Sequence, residues 1–322
     1  MPHSRPLSRL RASLILLLVS FIWGSAFVAQ KTAFDAVEGG TAPALGPLAF
    51  TGARFLLGAL VVLPFALREN RQARSRGARA QGPGLLAIFC GIGAVLFAAS
   101  FTQQLGIIGT SVTNAGFLTA LYVPLVPVVA LVIFRQSVRK MIWPGAAGCL
   151  AGLWLLTGAA TNGLSALTTG DLWVLVGALF WAFHVTVVGV MATRSGRPLT
   201  LAAAQFLTCG VLGWAGAFAF EAPTLAGMAA IAPEIAYAGI LSVGVAFTLQ
   251  VVAQRHTHPA AAAIILSMEM VFASLAAAVV LGERLTGAQW LGASLILASI
   301  IAVESAAALG DRRREAAGTL TP

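Results

Sequence analysis

Charge is what this chain has least of. Only 10% of its 322 residues are Asp, Glu, Lys or Arg, where a soluble domain carries about 25%. A water-soluble core of this length could not hide so much apolar surface, so lipid must be the main solvent. Acid is scarcer still: 11 carboxylates face 20 Lys and Arg, for a net charge of +9. The excess of base does not form a stripe interleaved with aromatics; the arginines sit at the ends of apolar runs. That placement speaks for membrane topology and against nucleic acid. Cysteine is rare and odd in number. Cys90, Cys149 and Cys209 lie inside apolar runs without ligand spacing, which predicts packing residues rather than disulfides or a metal site. No G-x-S-x-G, H-E-x-x-H or phosphate-cradling loop occurs. An intramembrane enzyme and an ATP-driven pump are therefore disfavoured, and neither cofactor nor metal is expected.

What the chain does have is apolar runs of about 20 residues, the length that crosses a bilayer as a helix. They lack the strict alternation of barrel strands. Ten spans are predicted, at 13–30, 47–67, 84–108, 111–134, 141–160, 172–192, 199–220, 233–254, 259–281 and 288–304. The first follows Arg5, Arg9 and Arg11 and runs past Trp23 to Val28 without a clean cleavage site, so it reads as a retained span. With the N-terminus inside, alternation places seventeen of the Lys and Arg in inside segments. Only Lys31 and Arg284 fall outside, and Arg54 lies within a span. That asymmetry predicts both termini in the cytoplasm. The basic loop from Arg68 to Gln81 serves as a topology anchor, with lipid head groups as the alternative ligand.

The two halves of the chain resemble each other. A shift of 147 residues carries Trp143 onto Trp290, Gly145 onto Gly292, Gln136 onto Glu283, Gln103 onto Gln250 and Tyr122 onto Glu269. Trp23 matches Trp181, and Ala53-Arg54-Phe55-Leu56 matches Ala204-Gln205-Phe206-Leu207. Five spans per half is odd, so the second half enters the membrane in the opposite sense. Two such halves can open a shared site to either side in turn. The fold class expected is an all-α integral membrane protein: ten transmembrane helices as two inverted five-helix repeats around a central cavity. Its parts are a cytoplasmic segment 1–12, a first repeat 13–160, a second repeat 171–304 and a cytoplasmic tail 305–322.

The ten-span plan, WGSAF in span 1, Arg54 in span 2, GALFWAF opening span 6 and the closing VVLGERLTGAQWLGASLILASI resemble the drug/metabolite transporter superfamily, EamA group. The resemblance covers about 13–304 and rests on the order of spans more than on any one motif. It implies a secondary carrier of small metabolites, such as an amino-acid exporter of the bacterial inner membrane. It also implies a cavity lined by spans 1, 3, 4, 6, 8 and 9. Lipophilic drugs and sugar conjugates are the alternative solutes. The chain departs from the pattern at Met268-Glu269-Met270, where a proline often follows the acid; a proline-based break in span 9 is not expected.

Polar residues at depth are the candidates for the site. Glu269 is the one carboxylate well inside an apolar run, about 15 Å deep at 1.5 Å per residue. A charge there costs at least about 2.5–3.5 kcal/mol, so the acid needs a partner, water or a proton. It could pair with a solute ammonium or carry a proton through the transport cycle. Asn114, Leu118 and Tyr122 step by four and share a face. Trp181 and His184 share a face of span 6; an imidazole titrates near neutral pH and could couple transport, or simply hydrogen-bond within the bundle. Trp23 and Trp181 lie near mid-span rather than in the interfacial belts, which favours cavity walls. Gln103 and Gln250 lie near opposite mouths, where gates or interhelical hydrogen bonds would form. Arg54 is expected to snorkel outward as an anchor, with attraction of an anionic solute group as the alternative. The partners expected are a small-molecule solute and the lipid bilayer, with proton coupling and homodimer formation left open; small residues in spans 5, 7 and 10 permit close helix approach within or between protomers.

Overall fold

The computed structural model describes residues 9–38, 45–75, 83–135, 140, 142–254 and 265–316. Among them every regular element is a helix: α1 (Arg9–Glu38), α2 (Pro47–Ser75), α3 (Pro83–Gly109), α4 (Val112–Ala120), α5 (Tyr122–Phe134), α6 (Ile142–Leu156), a short α7 (Ala159–Asn162) leading into a 3₁₀ turn, α8 (Thr169–Ser195), α9 (Pro198–Phe220), short α10 (Leu225–Ala230) and α11 (Ala232–Ala236), a π-helix (Tyr237–Ala246), α12 (Phe247–Gln254), α13 (Glu269–Val280) and α14 (Gly287–Ala316). In lipid this is the expected outcome, since a helix satisfies its own backbone. Seven stretches are long and apolar enough to cross a membrane; Trp143–Leu156, Glu269–Val280 and Gly287–Ala302 are shorter apolar helices at the places of spans 5, 9 and 10. Large apolar side chains such as Phe218, Phe220 and Val279 lie on the outside, where lipid would cover them.

The structure corrects several expectations. Span 4 runs as one apolar helical stretch over Val112–Ile133, with an irregular turn at Leu121, between α4 and α5, where the backbone stays right-handed (φ −62°, ψ −14°). Pro124 and Pro127 follow this irregularity, and neither has an N–H for the preceding turn. Span 9 turns at Ser267–Met268 and restarts at Glu269, so it is interrupted without a proline. Span 5 stops at Leu156, where Gly158 takes φ +79°, a conformation glycine adopts at little cost. Span 8 contains ten residues of π-helix, which periodicity did not signal. α14 continues past residue 304 to Ala316. Gln136, Arg139, Arg255, the start of span 9 at 259–264 and the last six residues lie outside the described set.

Packing pairs the two halves. α2 lies against α9, α3 against α8 and α9, and α6 against α14. α4 packs on α13, α1 on α13, and both α1 and α2 on the π-helix. Small residues set the close approaches. A methyl group on Gly213 would lie 2.6 Å from Gly52 N, one on Gly292 2.6 Å from Gly152 O, and one on Gly24 2.6 Å from Glu269 O. Glycine at these crossings lets helix backbones touch. Gly239 and Gly244 both face α2, beside Leu57 and Val61. Five residues apart, they would point different ways on an α-helix. The i→i+5 bonding of the π-helix puts them one turn apart on a single face.

Carboxylates seal three helix starts. Glu221, just after α9, accepts from the backbone N–H of Leu48 (2.8 Å) and Ala49 (2.9 Å) at the start of α2. Glu69, late in α2, accepts from Leu199 (3.2 Å) and Thr200 (2.8 Å) at the start of α9. Glu283 accepts from Val112 (2.7 Å) and Thr113 (3.1 Å) at the start of α4. Each satisfies N–H groups that a helix start leaves open and sits at the positive end of the helix dipole.

Candidate functional site

Glu269 is the first residue of α13 and is buried, and no described residue hydrogen-bonds or ion-pairs with its carboxylate. It lies just past the turn in span 9. Tyr122, its counterpart under the 147-residue shift, is the first residue of α5, just past the irregular turn in span 4. Tyr122 is half-buried against the core cluster that holds Leu118 and Met270. Span 1 meets the turn in span 9 through Gly24, whose Cα faces the Glu269 carbonyl, Phe272 and Ala273. Ser20 adds a hydrogen bond to the Ile265 carbonyl at 2.8 Å.

Beside Gly24, Trp23 donates its indole N–H to the Ser242 carbonyl at 3.1 Å, and Ser25 bonds the Tyr237 hydroxyl at 2.6 Å. Both partners belong to the π-helix. The Trp23 ring lies 5.6 Å from Phe247, and Phe247 lies 5.0 Å from Phe206, edge on. Trp181 packs against the same cluster as Phe206 and Phe247. The two repeat-matched tryptophans thus reach one aromatic layer from spans 1 and 6.

His184 is 2% exposed; its Nε2 bonds Gln205 Oε1 at 2.8 Å, and its ring meets Trp181 at 86° and 5.5 Å. His184 Nδ1 and Trp181 Nε1 are buried without a hydrogen-bond partner among the described residues. Gln205 was not singled out from the sequence as a site residue. Its match to Arg54 in the repeat was the available signal.

The remaining candidates lie elsewhere. Gln103 donates to Thr119 Oγ1 at 3.0 Å, joining α3 to α4. Asn114 donates to Asp171 Oδ1 at 3.3 Å, and the same oxygen accepts from Thr110 at 2.6 Å. Asp171 also closes the capping box of α8 with Thr168, so Asn114 is tied to a helix start. Gln250 is half-buried in α12. Arg54 does not snorkel: it is 6% exposed, donates to Gln30 of α1, and lies 5.7 Å from the Phe50 ring and 5.1 Å from that of Phe55. Aromatic faces and a glutamine on α1 hold the guanidinium inside the bundle.

A helical, lipid-facing chain with irregular turns inside its helices and buried polar residues beside them matches a single family model twice, the EamA-like transporter family, over residues 10–158 and 168–304. The chain belongs to the EamA-like transporter family. As a member it is a membrane transporter, and its relatives agree. An uncharacterized transporter of Archaeoglobus fulgidus is 30% identical over 92% of this chain and 86% of its own. The uncharacterized inner membrane transporter YedA of Escherichia coli is 25% identical over 89% of each chain. A solved crystal structure, 20% identical, covers 91% of this chain and 98% of its own at a TM-score of 0.59; at that identity it shows the fold alone.

Proposed function

We propose that this protein is a secondary carrier that exports small metabolites, amino acids or related compounds, across the bacterial inner membrane by alternating access of two inverted five-helix repeats. The observation that carries the reading is the pair of irregular helices. Spans 4 and 9 lose regular α-helical form at repeat-matched places, Leu121 and Met268, and Tyr122 and Glu269 follow directly. Discontinuous helices near the membrane midplane are where carriers hold solutes and ions.

Three further observations support two exchangeable halves. The helix contacts map onto themselves when spans 1–5 are swapped with spans 6–10: α3 on α8 mirrors α1 on the π-helix, and α2 on the π-helix mirrors α3 on α9. The caps are reciprocal, Glu69 sealing α9 and Glu221 sealing α2. The family model matches once per half. The named location of YedA supports the inner membrane, and the basic inside segments support cytoplasmic termini. In this reading Glu269 meets either the ammonium of the solute or a coupling proton, and the walls are Trp23, Tyr122, Trp181 and His184.

The test is flux in proteoliposomes over a panel of amino acids, with and without a pH gradient. Saturable flux of at least one member is expected, and a gradient dependence identifies the proton as co-substrate. Intact protein that moves none of the panel, nor related amines and carboxylates, overturns the reading.

A further inference from the structure

Away from Glu269 a second polar constellation lies buried between α1, α2 and α3. Arg54 is its centre. Among the described residues its Nε has no hydrogen-bond partner and no carboxylate pairs with it. Thr51, three residues earlier on the same face of α2, is fully buried with an unpartnered hydroxyl. On α3, Ser100 and Gln104 are one helical turn apart. Both are fully buried; the Ser100 hydroxyl and both polar atoms of the Gln104 amide lack partners. Gln104 lies on the face of α3 that carries Phe97, Phe101 and Ile108. Those three pack on the cluster of Phe50 and Ala53, the residues flanking Arg54. α1 closes the group through Gln30, which accepts from Arg54.

Nearly every buried polar atom finds a partner in a native protein, and each exception asks for an explanation. Here five such atoms lie on stretches of α2 and α3 that pack on one cluster. Four of them can donate hydrogen bonds, namely the guanidinium edge, the two hydroxyls and the Gln104 amide nitrogen, and the fifth is the Gln104 amide oxygen, an acceptor. No counter-ion to the fixed positive charge is found among the described residues. Guanidinium groups match carboxylates through paired N–H donors. We propose that Arg54, with Thr51, Ser100 and Gln104, binds the carboxylate group of the transported solute. The proposal rests on the carrier reading above and narrows its solute class to carboxylate-bearing molecules. It gives α2, outside the cavity-lining set that the family resemblance implies, a part in recognition.

The test uses the purified full chain in detergent with four matched probes: L-leucine, isocaproate, L-leucinamide and isoamylamine. Binding is read by tryptophan fluorescence and thermal shift. The two carboxylates are expected to bind at least about tenfold more tightly than the amide and the amine, the loss that goes with one charge-assisted hydrogen bond. Arg54→Gln abolishes that preference, Arg54→Lys keeps part of it, and Gln104→Leu weakens the carboxylates while sparing the amine. Equal binding of leucine and leucinamide by the wild type overturns the proposal whether or not the Arg54 variants fold. So does a folded Arg54→Gln protein that keeps the preference, or binding by none of the four. Flux of the same probes separates the two readings. Transport of amine and amide without preference for acids keeps the carrier and removes the carboxylate site; absence of any flux, with carboxylate binding intact, removes the carrier and keeps the site.

Discussion

At the scale of single residues the chain's few ionisable groups in lipid divide by what surrounds them. Glu269 stands out in the sequence because no other acid lies so deep. The structure adds that no described side chain hydrogen-bonds or ion-pairs with it. Glu269→Gln keeps the shape and removes the charge. If the acid meets an ammonium, apparent solute affinity should fall by roughly tenfold to a hundredfold. If it carries a proton, flux should lose its response to external pH. A variant with unchanged rate and unchanged pH response would reduce Glu269 to a structural acid. His184 differs because Gln205 holds it. Gln205→Ala should strip the imidazole of its bond and lower stability by about 1–3 kcal/mol, read as a lower melting temperature in detergent. Neither the His184–Gln205 bond nor the burial of Arg54 was legible in the sequence. A residue's depth can be counted along its own helix, but its partner belongs to a helix whose rotation the count does not supply.

At the scale of elements the apolar runs were legible because lipid imposes their length and composition. The interruptions within them were not. Pro124 and Pro127 follow the irregular turn in span 4, whereas span 9 breaks where the sequence reads Ser-Met-Glu, with no proline or glycine at the turn. Packing accompanies the break there: Gly24 brings α1 against the Glu269 carbonyl, and Ser20 bonds the Ile265 carbonyl, which also accepts from the Met268 N–H in the turn. The π-helix likewise shows itself only through contacts, when Gly239 and Gly244 turn together toward α2. Carboxylate caps are a simpler matter of charge. Glu69→Gln and Glu221→Gln should each lower stability by about 0.3–2 kcal/mol. Since they cap different helices at opposite ends of the α2–α9 pair, the double variant should lose close to the sum. Denaturation monitored by tryptophan fluorescence checks both, and a double loss far from additive would mean that the caps act as one lock.

At the scale of the whole molecule, the sequence already held the duplication and the one-sided distribution of arginine. Together they predict a reporter outcome: tags or single cysteines at the two ends of the chain should be modified from the cytoplasmic face only. Labelling of the ends from opposite faces would remove both the even span count and the inverted halves.

What the sequence determined by itself was the solvent, the helices, the repeat and the family, because each follows from residue type and spacing along one chain. What only the tertiary structure decided was which buried polar groups meet. Arg54 turned inward to Gln30 between two phenylalanine rings, Asn114 was drawn to Asp171, and Glu269 was left buried without a hydrogen bond or ion pair to any described residue. Lipid enforces hydrophobicity on every span alike, so composition marks the spans without ranking their faces. The contacts at glycine crossings, where backbones touch, select the face each helix turns to its neighbours, and with it the chemistry of the interior.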